Sequence, residues 1–244
     1  DGQNGGFGSG LTIGDFNADG KEDLVVGAYG YSGNTGRVYV LYNDGSYPAL
    51  ASNADVLIDG ESSSSSFGLG FVMSDFNVDG KQDLVVTAQG YNSYRGRVYM
   101  YTLNDSVTSG GTTNDQFGSS LTVGDFNADG KTDLAVGAQG YSGGGGTGRA
   151  YVFYGGSALD TSPSSADVTI TGETTSTSFG STLVSGDLNA DGKVDLVVAA
   201  TGYSTNTGRV YIFYNGAIIT ENASGADVII TGETTGSYFG VSLA

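Results

Sequence analysis

The chain has 244 residues, a formal net charge of −17, and neither Cys nor His. This composition excludes disulfides, thiol catalysis and Cys-based zinc sites, and it removes the most common acid–base group of enzymes. There is no run of about 18 apolar residues and no basic stripe, so the sequence predicts neither a membrane span nor nucleic acid as a partner.

The predicted elements follow one order, which the first repeat shows in full. A Phe-Gly pair opens it, followed by an apolar stretch, an acidic loop, a compact apolar run, a Gly-Tyr turn, an alternating run and a last apolar run. The positions are Phe7-Gly8, 11–13, 15–23, 24–28, Gly30-Tyr31, 38–42 and 54–58. Each run is short, rich in β-branched and aromatic residues, and bounded by Gly, Asn, Asp or Ser, which is typical of β-strands.

This order recurs along the chain. Phe-Gly pairs stand at Phe7, Phe67, Phe117, Phe179 and Phe239, with separations of 60, 50, 62 and 60 residues. Four strands in a unit of about 60 residues predict an all-β fold, a β-propeller of four-stranded antiparallel blades. We expect a single domain over 1–244, with repeats of approximately 7–66, 67–116, 117–178 and 179–238, and with 239–244 starting a fifth.

The second repeat departs from this order. After its alternating run it passes through Ser106-Val-Thr-Ser109 and reaches Phe117 without the Ala-Asp-Val-x-Ile-x-Gly-Glu segment that closes the other repeats. We therefore expect its outermost strand to be degenerate or missing.

The acidic loop carries the clearest chemistry. Its four copies read D-[FL]-N-x-D-G-K-x-D, which puts side-chain oxygens at positions one, three, five and nine and a usable backbone carbonyl at position seven. Oxygen donors at such spacing suit Ca²⁺, and three carboxylates within nine residues repel one another without a cation. The alternative is an Asn/Asp/Gly turn without metal. The predicted ligands of about four Ca²⁺ ions, with each Lys acting through its backbone carbonyl, are Asp15, Asn17, Asp19, Lys21, Asp23, Asp75, Asn77, Asp79, Lys81, Asp83, Asp125, Asn127, Asp129, Lys131, Asp133, Asp187, Asn189, Asp191, Lys193 and Asp195.

The tyrosines of the Gly-Tyr turns are a second candidate site. They could line a ligand surface together with the Ser, Asn and Gly residues beside them. We favour the alternative that the rings cap the packing between blades. The Arg at the start of each alternating run is expected to bond to a carbonyl or carboxylate of a neighbouring blade. The tyrosines are Tyr31, Tyr91, Tyr141 and Tyr203, and the arginines are Arg37, Arg97, Arg149 and Arg209.

The Phe-Gly start, the Asp-x-Asn-x-Asp-Gly-x-x-Asp loop, the Gly27-Ala28 turn and the Gly36-Arg-Val-Tyr-Val40 strand resemble the FG-GAP repeats of the integrin α-subunit β-propeller. The resemblance covers nearly the whole chain. It implies Ca²⁺ between the first two strands of a blade, away from the ligand surface. The Pro that follows Gly-Ala in the family is replaced in every copy, by Tyr29, Gln89, Gln139 and Thr201.

Integrin-like propellers close with seven blades, whereas this chain carries about four repeats. Three arrangements stay open: a small ring, part of a larger propeller, or blades completed by another chain. An open array would leave blade faces uncovered unless a neighbour covers them.

These observations predict a non-catalytic, calcium-binding recognition or adhesion module that is secreted or displayed at the cell surface. Its partner would be an extracellular protein or a glycan. One alternative is a glycan-binding lectin. A second is a structural subunit of an extracellular filament or surface assembly, which self-associates through the incomplete terminal blade. Asn104 and Asn222 stand in glycosylation acceptor patterns, which mildly favour a secreted protein.

Overall fold

The described residues fold into β-sheets joined by turns and short helical segments. The computed structural model describes residues 5–101, 112–142, 146–156, 162–175, 177–214 and 222–243, and the backbone of 106–109. Its strands form four four-stranded antiparallel sheets, here called blades 1 to 4 in chain order. This confirms the predicted all-β fold of four-stranded antiparallel blades.

The strand bounds repeat closely from blade to blade. Blade 1 contains β1 (Phe7–Gly14), β2 (Asp23–Ala28), β3 (Arg37–Leu41) and β4 (Val56–Asp59). Blade 2 contains β5 (Phe67–Ser74), β6 (Asp83–Ala88), β7 (Arg97–Tyr101) and β8 (Ser106–Ser109). Blade 3 contains β9 (Phe117–Gly124), β10 (Asp133–Ala138), β11 (Arg149–Phe153) and β12 (Val168–Thr171). Blade 4 contains β13 (Phe179–Gly186), β14 (Asp195–Ala200), β15 (Arg209–Phe213) and β16 (Val228–Thr231).

The helical segments are single turns. Those at Tyr31–Asn34, Tyr91–Tyr94 and Tyr203–Asn206 join the second and third strands, and their central residues, such as Ser32 (φ 49°) and Gly33 (φ 70°), are left-handed. Short 3₁₀ turns precede three of the outer strands, at Ala51–Asn53, Pro163–Ser165 and Ala223–Gly225. Within the described part of the chain, no helix has the length and apolarity needed to cross a membrane.

The outermost strand of blade 2 is present. β8 pairs antiparallel with β7, and Ser109 lies opposite Arg97. Of the two expected possibilities, degenerate or missing, the second was therefore wrong. Pairing uses backbone N–H and C=O groups, so Ser-Val-Thr-Ser can add an outer strand without the closing sequence of the other repeats.

The first strand of each blade is longer than the apolar stretch that predicts it. In blade 1, Leu11 to Gly14 pair with β2 in regular register, and Phe7 pairs with Ala28 after a shift in register. The same irregularity follows Phe67 and Phe179. The first strand has two extra residues at each of these shifts. Extra residues of this kind bend the strand, and the bend carries the Phe-Gly pair toward the preceding blade.

Successive blades are joined by one repeated backbone contact. Phe67, Phe117 and Phe179 form parallel bridges to Gly36, Gly96 and Gly148 of the preceding blade. A Cβ at Gly36 would lie 2.0 Å from the carbonyl oxygen of Phe67, so only Gly allows this approach. The first strands of successive blades also contact one another in chain order.

The apolar cores lie between blades, and one face of blade 1 is left uncovered by the described residues. Phe67, Phe117 and Phe179 are fully buried, whereas the equivalent Phe7 is 58% exposed. Leu11 and Ile13 on the same strand are 64% and 61% exposed. Phe7, Leu11 and Ile13 therefore form an exposed apolar edge on blade 1. The corresponding Phe residues of blades 2 to 4 are buried.

Candidate functional site

The four acidic loops connect the first and second strands of their blades. Each begins directly after the first strand and ends at the Asp that opens the second, as Asp15 to Asp23 does between β1 and β2. Because the four sheets have the same strand order, all four loops lie at the same end of their blades. The structure thus gives the predicted ligand residues one shared position in the fold.

Backbone amides organise the first loop around its own side chains. The Asp19 amide donates to Asp15 Oδ1 at 3.0 Å and to Asn17 Oδ1 at 2.9 Å. The Gly20 amide donates to Asp15 Oδ2 at 2.8 Å, and the Lys21 amide donates to Asp19 Oδ1 at 2.9 Å. The oxygens at positions one and three therefore converge on a single N–H group.

The other three loops reproduce these bonds closely. The amide at position five lies 3.0 to 3.1 Å from the first Asp and 2.9 Å from the Asn in each of them. The amide at position seven lies 2.9 Å from the Asp at position five. Four different surroundings thus give one loop conformation, so the motif itself determines the geometry.

Two left-handed residues close each loop. The Gly at position six has φ between 83° and 86° in all four copies, as its place in the motif predicts. Position four is left-handed as well, with φ near 60° at Ala18, Ala128 and Ala190 and 59° at Val78. The sequence does not indicate this second bend, because Ala and Val carry no preference for the left-handed region.

The aspartate at position nine differs from the aspartates at positions one and five. Asp23 is fully buried and accepts hydrogen bonds from the amides of Phe16, Asn17 and Asn43 at 2.9 to 3.3 Å. Asp133 likewise binds the amides of Phe126 and Gly155. This residue ties the loop to the end of the third strand.

Burial makes two carboxylates at position nine, those of Asp83 and Asp133, costly to ionise without a counter-ion. Desolvation raises the pKa of Asp83 to about 6, although the Phe76 amide bonds to it and lowers the pKa in part. The pKa of Asp133 is raised for the same reason, against the opposing effect of the amides of Gly155 and Phe126. A nearby cation would favour the ionised form.

The donor set fits a hard cation. Among the described residues, no group of three or more acidic, His or Cys side chains already has the arrangement of a metal cluster, since the loop carboxylates bond to backbone amides. The half-buried Asp15 and the exposed Asn17 and Asp19 nevertheless carry their oxygens on one short loop, and oxygen donors alone are the set that Ca²⁺ prefers. The Lys21 carbonyl belongs to the same loop.

The tyrosines of the Gly-Tyr turns lie beneath arginines. The guanidinium carbons of Arg37, Arg97, Arg149 and Arg209 stand 4.0, 3.8, 3.6 and 3.6 Å from the ring centroids of Tyr31, Tyr91, Tyr141 and Tyr203. Each ring also packs against an apolar core cluster. The geometry supports the packing interpretation of these tyrosines, and a ligand-binding role stays a prediction.

Two of the arginines join blades. Arg97 Nη1 lies 2.6 Å from Glu61 Oε2 of blade 1, and Arg209 Nη1 lies 2.8 Å from Glu173 Oε2 of blade 3. Arg37 bonds to Asp59 and Arg149 to Thr171 within their own blades. The expected bond to a neighbouring blade is thus present for two of the four arginines.

Acids outside the repeat positions are engaged in local turns. Asp115 accepts from the amide and hydroxyl of Thr112 at 2.6 and 2.8 Å, and Asp44 accepts from Ser46. Asp105, Asp160 and the acceptor residue Asn104 lie outside the described residues. Asn222 is exposed and accepts from the Ser224 amide at 3.0 Å.

Comparison with known proteins gives the same four units. The family model described as FG-GAP repeat matches residues 7–41, 67–101, 117–153 and 179–213. The chain is 35% identical over 253 residues to phosphatidylinositol-glycan-specific phospholipase D of Homo sapiens, and 37% identical over 247 residues to the Mus musculus protein of that name. These alignments cover 96% of this chain, which spans about a quarter of the length of these curated relatives.

A solved structure resembles the chain more distantly. The V. cholerae biofilm matrix protein Bap1 aligns with 15% identity and a TM-score of 0.37, over 88% of this chain and 39% of that one. A likeness of this size carries no argument about function.

Proposed function

The chain belongs to the FG-GAP repeat family, and on that premise we propose that it is a non-catalytic recognition module, braced by calcium and working outside the cell. About four Ca²⁺ ions would bind, one in each acidic loop. Their role would be structural, because the loops connect the first two strands of each blade. Millimolar extracellular calcium fills even loops of modest affinity.

The observation that carries this proposal is the uniform loop geometry. All four loops direct their first and third side-chain oxygens onto the same amide. They also bury a carboxylate at position nine, with exposures between 0% and 2%. A turn without a metal has no need for three clustered carboxylates, which repel one another at neutral pH.

Calorimetric titration with Ca²⁺ and thermal unfolding test the proposal together. We expect about four binding events and a rise in Tm of several degrees on saturation, since a ligand that binds only the folded state stabilises it. An excess of chelator should reverse the rise. Unchanged unfolding in millimolar calcium and in chelator would show that the loops are metal-free turns.

A substitution inside one loop sharpens this test. Asp129→Asn keeps the acceptor for the Lys131 amide but removes a charge, so one of the four binding events should be lost. Asp44→Asn is the matched control, because Asp44 lies in an exposed turn outside the loops. Loss of the same event in both variants would contradict the assignment of Asp129.

Glycan recognition is the first alternative. The name of the relatives states that they act on phosphatidylinositol-glycan, and this chain aligns over 96% of its length with part of those proteins. We infer that a module of this kind could hold a glycan while chemistry takes place elsewhere in a longer protein. A glycan array in calcium tests this, and binding of no saccharide would count against it.

A structural subunit is the second alternative. Residues 239–243 lie on blade 4 in the way that a following blade would begin, since the Phe239 amide donates to the Thr207 carbonyl at 3.1 Å, as Phe179 does to Thr147 at 3.3 Å. The apolar edge of blade 1 is exposed. Together these ends could join copies of the chain.

A further inference from the structure

A cavity opens between blades 1 and 2, beside the first two acidic loops. Its volume is about 550 Å³, within the range of about 300 to 1,000 Å³ that is usual for small-molecule sites. Apolar and aromatic side chains form its walls, and polar groups of both loops form its rim. The wall residues are Phe16, Tyr42, Val56, Ile58 and Tyr101, and the rim includes Asn17, Asp79, Lys81 and Gln82.

The equivalent cleft between blades 3 and 4 is closed. There Val168 and Ile170 are 8% and 0% exposed, and Phe213 is 2% exposed. Val194 packs against the same core cluster. At the cavity, the corresponding residues Val56, Ile58 and Tyr101 are only partly buried.

Two sequence differences accompany the opening. Strand register places Tyr101 opposite Leu84 as Phe213 is opposite Leu196, so a hydroxyl stands where blade 4 has only a ring. Gln82 precedes its loop-closing Asp as Val194 does. Gln82 is exposed, and its Oε1 accepts the Asp15 amide across the blade boundary at 3.0 Å.

This side-chain bond fixes the polar rim of the cavity. The hydrogen bond from the Asp15 amide to Oε1 fixes the orientation of the Gln82 side-chain amide. Its NH₂ group donates no hydrogen bond to a described residue. Lys81 supplies a donor, and the oxygens of Asp79 and Asn17, which the proposed Ca²⁺ would share, supply acceptors. The rim therefore offers donors and acceptors above an aromatic wall, with charges of both signs.

We propose that this cleft binds one neutral hexopyranose residue of a glycan. A pyranose ring has an apolar C–H face that can stack on Tyr42, Phe16 or Tyr101, and hydroxyl groups that both donate and accept. Its hydroxyls match the mixed rim, and the cavity has room for it. This inference rests on the recognition role proposed above and names the site and ligand class for it.

The test uses the whole chain in millimolar calcium and methyl glycosides of neutral hexoses as probes. Isothermal calorimetry should detect binding of at least one of them. NMR should show that this probe perturbs the ring signals of Tyr42 and Tyr101 in the unmodified protein. The double variant Gln82→Val, Tyr101→Phe copies the closed cleft and should weaken binding at least about tenfold, or 1.4 kcal/mol.

Matched controls separate the site from the fold. Tyr42→Ala should abolish binding, whereas Tyr154→Ala, at the same position in blade 3, should leave it unchanged. If thermal melting shows that one of the cavity variants is unfolded, the binding measurement is made with Gln82→Ala instead. The inference is overturned if no hexoside binds, if binding survives the double variant, or if phospholipid vesicles alone bind.

Calcium dependence is measured separately. In one outcome, the protein binds a hexoside, loses that binding in the double variant, and yet binds no Ca²⁺. That result would sustain this inference and remove the calcium role. Four bound Ca²⁺ ions without any hexoside binding would sustain the calcium role and remove this inference.

Discussion

At the scale of single residues, each acidic loop contains two kinds of aspartate. Asp15 and Asp19 are near the surface, whereas Asp23 is buried and bonds to three backbone amides. The motif spacing predicted the residues of the loop but could not separate these roles. The separation depends on the Asn43 amide, which reaches Asp23 from the end of the third strand and is 20 residues away in sequence.

Val78 is the strained residue of the second loop. It has φ 59°, and its side chain is 56% exposed, so it gains little packing in return. A left-handed L-residue costs about 1–2 kcal/mol, and Asn tolerates the region better. We expect Val78→Asn to raise the free energy of unfolding by about 1 kcal/mol, measured by urea denaturation.

Ala128 provides the comparison, because it occupies the same position of the third loop with φ 60° and no branched side chain. Ala128→Asn should stabilise the protein less than Val78→Asn. Equal effects in the two loops would show that the branched side chain of Val78 is not the source of the strain.

At the scale of elements, the Phe-Gly pair is the junction between blades. Its Phe is buried and stacks edge-on against a tyrosine of the same blade, as Phe67 does with Tyr99 at 5.0 Å between centroids. Its backbone lies against a Gly of the preceding blade. One dipeptide thus combines core packing with strand alignment.

Gly36 should be among the least replaceable residues of this junction. It has φ 84°, and a Cβ there would lie 2.0 Å from the backbone of Phe67. The Phe67 backbone cannot move away without separating blades 1 and 2. We expect Gly36→Ala to lower the free energy of unfolding by about 3 kcal/mol, combining backbone strain and overpacking. Urea denaturation measures the loss.

Gly33 separates these two effects. It also has a positive φ, of 70°, but a Cβ there would meet nothing within 4 Å. Gly33→Ala should therefore cost only about 1 kcal/mol. If both variants lost the same stability, the close approach to Phe67 would contribute nothing.

The sequence predicted strand order well and strand ends less well. Alternation and turn residues identified β2 and β3 almost to the residue, because their side chains carry the apolar pattern. It missed β8, whose Ser-rich sequence pairs through its backbone, and it shortened β1, because the shifted register after Phe7 interrupts the pattern. Tertiary contacts determine both features.

At the scale of the whole molecule, the apolar edge of blade 1 distinguishes it from the other blades. Phe7, Leu11 and Ile13 lie on the strand that covers the preceding blade elsewhere in the array. Exposed apolar strands of this kind promote association. We expect the isolated chain to self-associate as its concentration rises, as measured by light scattering in calcium.

The double variant Leu11→Ser, Ile13→Ser should shift the chain toward monomer. Tyr47→Ser is the control, since Tyr47 is 51% exposed but lies in the connection between β3 and β4. A monomer at every concentration in the unmodified chain would argue against the building-block alternative.

The open cleft between blades 1 and 2 lay beyond sequence analysis. Tyr101 and Gln82 look like ordinary variation within the repeat when each is read alone. Their effect depends on both lining the cleft from blade 2, together with Val56 and Ile58 of blade 1. Only the packed structure shows that these two positions, which are Val194 and Phe213 at the closed cleft, line a cavity between blades 1 and 2.

The repeated Gly–Phe bridge also has a mechanical consequence. Each blade touches its successor through the same local contact, so a pulling force on the two ends would load these junctions in series rather than one shared core. Extension should then proceed by detaching blades one after another. Each rupture would release a length of polypeptide that follows the 60-, 50- and 62-residue spacing of the phenylalanines.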